Sequence, residues 1–262
     1  MTPVLQIDKL FKNFGGLQAL QNISFTINQN EIVGLIGPNG AGKTTLFNCV
    51  AGIEKPTSGK ILFTNNAKTH SIAGLKPEKV TALGIARTFQ NIRLFDNLTV
   101  LDNVKIGRHC RTRSTVWGAV IRTRGQQAEE KDITASANQY LEFVGLTGRG
   151  AEIASSMPYG DQRRLEIARA LATDPSFLML DEPAAGMNPQ ESRSLMDLIR
   201  RIRNKGITIL LIEHDMKVVM GICERLVVLN YGRWLAEGEA KAVQSDPKVI
   251  EAYIGKGASH VA

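Results

Sequence analysis

The octapeptide Gly37-Pro38-Asn39-Gly40-Ala41-Gly42-Lys43-Thr44 lies between an apolar run, Ile32 to Ile36, and a stretch of helical pattern, Lys43 to Val50. That spacing suits a loop that cradles phosphate. Glycines let the backbone wrap with its N–H groups pointing inward, and the helix that follows adds its positive end. Lys43 supplies a point charge to β- and γ-phosphates, and the Thr44 hydroxyl can ligate Mg²⁺. A glycine-rich turn without a ligand is the plainer reading, but strand, glycine loop and helix in this order is the context the motif requires. A nucleoside triphosphate site is therefore expected here. A second candidate is Asp181-Glu182, at the exit of the apolar run Phe177 to Leu180. In a sheet of this kind an acid at a strand exit lies beside the phosphate loop, where Asp181 can hold Mg²⁺ through water. Glu182 can act as general base toward an attacking water. The plainer alternative is a pair of carboxylates capping a helix.

These residues need a scaffold of strands covered on both faces, and the pattern supplies one. Ile32 to Ile36, Phe177 to Leu180, Ile207 to Ile212 and Leu226 to Leu229 are continuous apolar runs, as buried parallel strands should be. Helical stretches separate them, which predicts a mainly parallel α/β sheet. Before the loop, Val4 to Ile7 and the alternation of Ile23, Phe25 and Ile27 read as strands. Phe14-Gly15-Gly16 and Asn28-Gln29-Asn30 read as turns. Lys60 to Phe63 is another strand, whereas 64–80 is polar and loop-like. From Asn91 to Met157 the character becomes helical, with Tyr140, Leu141 and Val144 at helical spacing. The expected organisation is one domain, with a core of 1–90 and 158–262 and an inserted helical subdomain at about 91–157.

Composition limits the rest. Of the 262 residues, 43% are hydrophobic and 22% charged, the balance of a folded globular chain. No apolar run approaches the roughly 18 residues that would span a bilayer, and the N-terminus lacks the basic-then-apolar pattern of a secretory signal. Cys49, Cys110 and Cys223 show no metal-ligand spacing and suit a reducing compartment. The net charge of +7 is concentrated: Lys105, Arg108, Arg111, Arg113, Arg122 and Arg124 fall in a stretch, 105–128, without a single acid. Such a block suits nucleic acid, a membrane surface, an acidic partner or simply solvent.

Three further motifs complete a recognisable set. Tyr159-Gly160-Asp161-Gln162-Arg163-Arg164-Leu165-Glu166-Ile167-Ala168-Arg169-Ala170-Leu171 resembles the signature motif of ABC ATPases. Arg87-Thr88-Phe89-Gln90 resembles their Q-loop, and Ile212-Glu213-His214-Asp215 their His switch. More narrowly, the chain is similar to ATP-binding subunits of branched-chain amino-acid importers of the leucine/isoleucine/valine type. Phe14-Gly15-Gly16-Leu17, Ala184-Ala185-Gly186-Met187-Asn188-Pro189 and Val249-Ile250-Glu251-Ala252-Tyr253-Ile254-Gly255 carry that likeness. The resemblance implies a P-loop NTPase of the ABC type, with an antiparallel β subdomain beside the mainly parallel sheet. ATP and Mg²⁺ are the implied ligands, and the nucleotide cradle runs from Gly37 through Thr44 to Thr45. Phe14 is implied to stack on adenine, although by itself it reads more simply as a core or turn aromatic. Gln90 is implied to contact Mg²⁺ or its water and to join the core to the helical subdomain. His214 is implied to hold the γ-phosphate and keep Glu182 aligned; taken alone it reads as a surface or core histidine. Tyr159, Gly160 and Asp161 are implied to meet ATP held by a second ABC ATPase, identical or paralogous, across a sandwich. Other implied partners are two integral-membrane permeases and, through them, an extracellular or periplasmic binding protein. No nucleic acid is expected, and the implied location is peripheral, on the cytoplasmic face of the plasma membrane.

Three positions depart from the family's pattern. Pro158 replaces the usual serine of the signature, Asp161 its usual glutamine, and Asn188 an aspartate common after the catalytic glutamate. Another transport system (other amino acids, amides, urea or lipid export) and a non-transport ABC ATPase stand as alternatives. The interval between phosphate loop and signature is too short for the long coiled-coil arm of chromosome-maintenance relatives.

Overall fold

The structure, a computed structural model, describes residues 2–108, 110 and 124–254. Its strands are β1 (Pro3–Phe14), β2 (Leu17–Asn28), β3 (Ile32–Ile36), β4 (Ser58–Asn65) and β5 (Lys68–Ser71), then β6 (Ile85–Arg87), β7 (Phe177–Asp181), β8 (Thr208–Ile212), β9 (Arg225–Asn230) and β10 (Arg233–Glu239). Its helices are α1 (Lys43–Val50), α2 (Pro77–Leu83), α3 (Val100–Arg108), α4 (Arg124–Val144) and α5 (Tyr159–Leu171). They continue with α6 (Pro189–Asn204), α7 (Met216–Ile222), α8 (Ala240–Gln244) and α9 (Pro247–Ile254). Two compact units emerge, one of Met1–Arg87 with Ser176–Ala262, the other of Thr88–Pro175.

In the first unit one sheet has the order β10-β9-β3-β8-β7-β6. All its pairings are parallel except the β9–β10 hairpin. Every residue of β3, β7 and β8 is buried, which explains why these strands read as unbroken apolar runs. The other sheet, β2-β1-β4-β5, is antiparallel. Leu5, Leu10, Leu20, Ile23 and Ile27 of that sheet share one core with Val33, Leu35 and Leu210 of the first and with Leu46 and Phe47 of α1. Each fully buried side chain of this size contributes about 1.5–3 kcal/mol relative to exposure. Phe63 meets Phe177 edge-on, with ring centroids 6.1 Å apart. This core fixes α1, and with it the loop at its N-terminus.

The polar stretch 64–80 is not all loop. It contains β5 and the start of α2. β5 is an edge strand whose residues are exposed or half-buried, so it carries no apolar alternation for a sequence reading to detect. α2 buries only Val80, too little for a helical period to show.

The second unit packs α3, α4 and α5. Buried Val100 and Val104 come from α3, Ile133, Ala137, Leu141 and Val144 from α4, and Leu165 and Ala168 from α5. The unit is wider than the expected 91–157, because Thr88–Gln90 and the whole of α5 group with it. Two members of the basic block are committed to acids within this unit: Lys105 pairs with Glu130, and Arg108 with Asp174. Arg111, Arg113, Arg122 and the side chain of Arg124 lie outside the described residues.

Candidate active site

In the parallel sheet β3, β8 and β7 are neighbours, so their carboxyl ends open side by side, where α/β sheets bind ligands. β3 leads into the glycine loop, β7 ends at Asp181, and β8 ends one residue before Glu213-His214. The loop shape depends on glycine at two contacts. Gly37 has φ 149°, and a β-carbon there would lie 2.1 Å from the Leu229 carbonyl oxygen. Gly42 has φ 98°, and its β-carbon would lie 2.7 Å from the Ala19 carbonyl oxygen. Gly232, in the β9–β10 turn, braces the loop by donating its N–H to the Ala41 carbonyl. Burial raises the Tyr253 hydroxyl of α9 above its usual range, partly offset by the Gly37 backbone, which sets this side chain beside the loop. Nothing in the sequence around Gly232 or Tyr253 signals such a role. Only the fold brings them to the loop.

Lys43 is buried, and its Nζ donates to the carbonyls of Gly37 at 2.6 Å and Pro38 at 3.0 Å. Burial pulls the ammonium below its usual range, while the charges of Glu182 and Asp181 pull it back up. The cation therefore lies within electrostatic reach of both acids. Thr44 is exposed and Thr45 half-buried on the first turn of α1. This donor set fits a Mg²⁺–triphosphate: a hydroxyl and a carboxylate are hard oxygen ligands for the metal, and an ammonium at the N-terminus of a helix suits phosphate.

Asp181 is buried and shares one oxygen with Arg87, whose Nη2 lies 2.8 Å from Oδ2. The other amino group of Arg87 donates to Asn48 Oδ1 of α1 at 2.6 Å. The guanidinium also sits 5.6 Å from the centroid of Phe47. Arg87 thus ties the Asp181 carboxylate to α1, a role that the sequence alone does not signal. Glu182 follows with φ 47°, a left-handed conformation for a non-glycine residue. Its N–H is held by Ile212 O at 2.9 Å, and its Oε1 lies 2.6 Å from His214 Nε2. Glu213 enters the sequence reading only as a member of the histidine motif, with no function of its own. It is buried and accepts from Ala184 N at 2.7 Å and His214 N at 3.1 Å, joining the loop after Glu182 to the histidine. Burial pushes its carboxyl above the ordinary range, against those N–H groups and that of Asp215.

Phe14 ends β1 at the hairpin tip and is 44% exposed, with Lys12 Nζ 4.4 Å from its ring centroid. Gln90, Tyr159, Gly160 and Asp161 belong to the second unit. There the N-terminus of α5 begins after Pro158 without a side-chain cap, and Asp161 in its first turn pairs with Arg149.

The structure thus brings Lys43, Asp181, Glu182 and His214 together in the first unit, and the signature helix together with the Gln90 segment in the second. A family model described as "ABC transporter" matches residues 20–185, and one described as "Branched-chain amino acid ATP-binding cassette transporter" matches residues 235–259. The high-affinity branched-chain amino acid transport ATP-binding protein LivG of Escherichia coli (strain K12) is 44% identical over 255 residues, covering 97% of this chain and 98% of the relative. BraF of Pseudomonas aeruginosa, described in the same words, is 41% identical over 97% of this chain and 98% of its own length. Among solved structures, an ATP-binding cassette of an ABC transporter in its ADP conformation is 33% identical, with a TM-score of 0.84 over 98% of this chain and 100% of that one. With the phosphate loop, strand-end acids, histidine and signature helix all in place, the chain belongs to the ABC transporter ATP-binding proteins, a family of nucleotide-binding ATPases.

Proposed function

We propose that this chain is the ATP-hydrolysing subunit that powers import of branched-chain amino acids. In this reading it is docked on two membrane permeases at the cytoplasmic face and paired with a second ABC ATPase. The convergence of Lys43, Asp181, Glu182 and His214 at three neighbouring strand ends carries the catalytic part of that reading. Identity of 44% along nearly the whole chain to transport proteins of that description supports the solute class. Among the described residues no helix is long and apolar enough to cross a membrane, which fits a subunit that relies on separate permeases.

Thr44, Asp181 and Gln90 are the residues to hold Mg²⁺, which when bound neutralises charge on the β- and γ-phosphates. Lys43 and the loop N–H groups place the triphosphate, and Phe14 offers its exposed ring to the base. Glu182 accepts the proton of the attacking water. His214, its Nε2 2.6 Å from one carboxylate oxygen of Glu182, fixes that oxygen and so aims the other. Tyr159, Gly160 and Asp161 start a helix whose N-terminal N–H groups favour the γ-phosphate of the partner's ATP.

Glu182→Gln tests the assignment. The variant should keep ATP affinity and lose at least about 100-fold in turnover, the usual share of a general base. Turnover within roughly threefold of the parent, under about 1 kcal/mol of barrier, removes Glu182 from that role. In cells lacking the chain, uptake of labelled leucine, isoleucine and valine should fall and return only with the parent sequence. Unchanged uptake of these solutes, with loss of urea, amide or lipid transport instead, reassigns the cargo.

A further inference from the structure

The second unit buries an ion pair that the proposed chemistry does not use. Arg163 and Glu166, one turn apart on α5, are 0% and 1% exposed, and Arg163 Nη1 lies 2.7 Å from Glu166 Oε2. Removing two charges from water is costly, and such a pair often stabilises a fold no better than apolar residues of the same volume. Its purpose is then to be sought in what the pair holds.

It holds one short segment of backbone. Arg163 Nη1 donates to Phe89 O at 2.6 Å and Nη2 to Gln90 O at 2.7 Å. Glu166 Oε1 accepts from Phe89 N and from Arg93 N, each at 3.3 Å. One turn further along α5, Arg169 donates to Arg93 O, and the Arg93 guanidinium lies 4.3 Å from the Phe89 ring centroid. The backbone is thus gripped on both sides of Gln90, and every grip comes from the helix that begins with Tyr159-Gly160-Asp161.

We infer that Arg163 and Glu166 are positioning residues for Gln90, locking it to the signature helix so that the two move as one piece. The inference rests on the role proposed for Gln90 at the metal. The pair then serves as a mechanical link. A change felt by Gln90 at its own nucleotide reaches the segment that meets the partner's nucleotide through two hydrogen-bonded side chains on one rigid helix.

A mutant cycle tests this with the full chain. Arg163→Met with Glu166→Met removes the polar grip and keeps volume and apolar packing. Parent, Gln90→Ala, the Met pair and their combination are compared for ATP turnover, ATP affinity and melting temperature. In the parent, Gln90→Ala should lower kcat by about tenfold or more. In the Met-pair background the same change should lower it by less than roughly threefold, because Gln90 is already misplaced there. The Met pair by itself should lower kcat with ATP affinity and melting temperature near parental, a split that loss of packing does not produce. Equal effects of Gln90→Ala in both backgrounds overturn the inference alone and leave a merely structural pair. No effect of Gln90→Ala in the parent overturns the role of Gln90 at the metal, and the inference with it. Should the Met pair fail to fold, Arg163→Lys serves in the same cycle. It keeps the charge and the pairing, but one ammonium lacks the planar fork that reaches both carbonyls. Non-additivity with Gln90→Ala is again the expected result and additivity the overturning one.

Discussion

Glu182 occupies a backbone conformation that costs a non-glycine residue on the order of 1–3 kcal/mol and is kept only where its surroundings insist on it. Here they do. Ile212 O holds its N–H, His214 Nε2 meets its carboxylate, and Glu213 holds the backbone just after it at Ala184. Phe14 is a different case, since nothing covers its ring fully. An exposed aromatic with an ammonium near it presents a flat face, and that exposed face is what the proposed adenine stack would use. Phe14→Ala should then weaken ATP binding by roughly 0.5–1.5 kcal/mol, the usual worth of an aromatic stack, with triphosphate contacts intact. Calorimetric titration of ATP decides it: an unchanged affinity in a folded variant takes Phe14 out of the site.

At the scale of elements, the site is a consequence of three parallel strands ending together and of helices with well-made ends. α6 illustrates the second point. Asn188 caps it by accepting from Gln190 N at 2.9 Å and Glu191 N at 3.0 Å, and the Glu191 side chain accepts the Asn188 N–H at 2.9 Å. This capping box satisfies donors the helix cannot, while Leu195, Leu198, Ile199 and Ile202 bury the opposite stripe. The family's more common aspartate caps about as well as asparagine, so this departure is silent for the helix. Asn188→Ala should cost about 0.5–2 kcal/mol in urea unfolding, and Asn188→Asp only a few tenths. Equal stability of the alanine variant and the parent rules out the cap as a contributor.

At the scale of the whole molecule, the proposed sandwich with a second ATPase would use the N-terminus of α5, where Pro158 offers neither a hydroxyl nor an N–H. A hydrogen bond to a charged group is worth about 1.5–3 kcal/mol, so a serine here should tighten the composite site by one or two decades. The measurement is ATP-dependent association with the partner ATPase, comparing Pro158→Ser with Pro158 in a Glu182→Gln background. A serine variant that associates no more tightly shows that the missing hydroxyl is not limiting. Proline itself suits the position, because a helix start leaves its N–H groups unpaired in any case.

The chemistry of the nucleotide site was legible in the sequence because it is local. A phosphate loop needs its glycines, lysine and hydroxyl within eight consecutive residues, and a strand buried on both faces must be apolar throughout, so Asp181-Glu182 and His214 stand out at the ends of such runs. The signature helix was legible for the same reason. What holds these groups was not. Arg87 reaches Asp181 across 94 positions, and Arg163 reaches Phe89 across 74. A buried arginine looks like a surface charge in any local pattern, because the partner that neutralises it is chosen by the chain path. Lys105 and Arg108 belong to an acid-free stretch of sequence, yet Glu130 and Asp174 meet them in space. Strand β5 escaped notice because an exposed edge has no apolar face to reveal it, and α5 joined the helical unit because packing, not motif order, draws that boundary. Sequence by itself marked the candidate groups for the chemistry; tertiary structure alone decided which buried ions and carbonyls keep them in place, since ion pairing and hydrogen bonding depend on distance in space rather than along the chain.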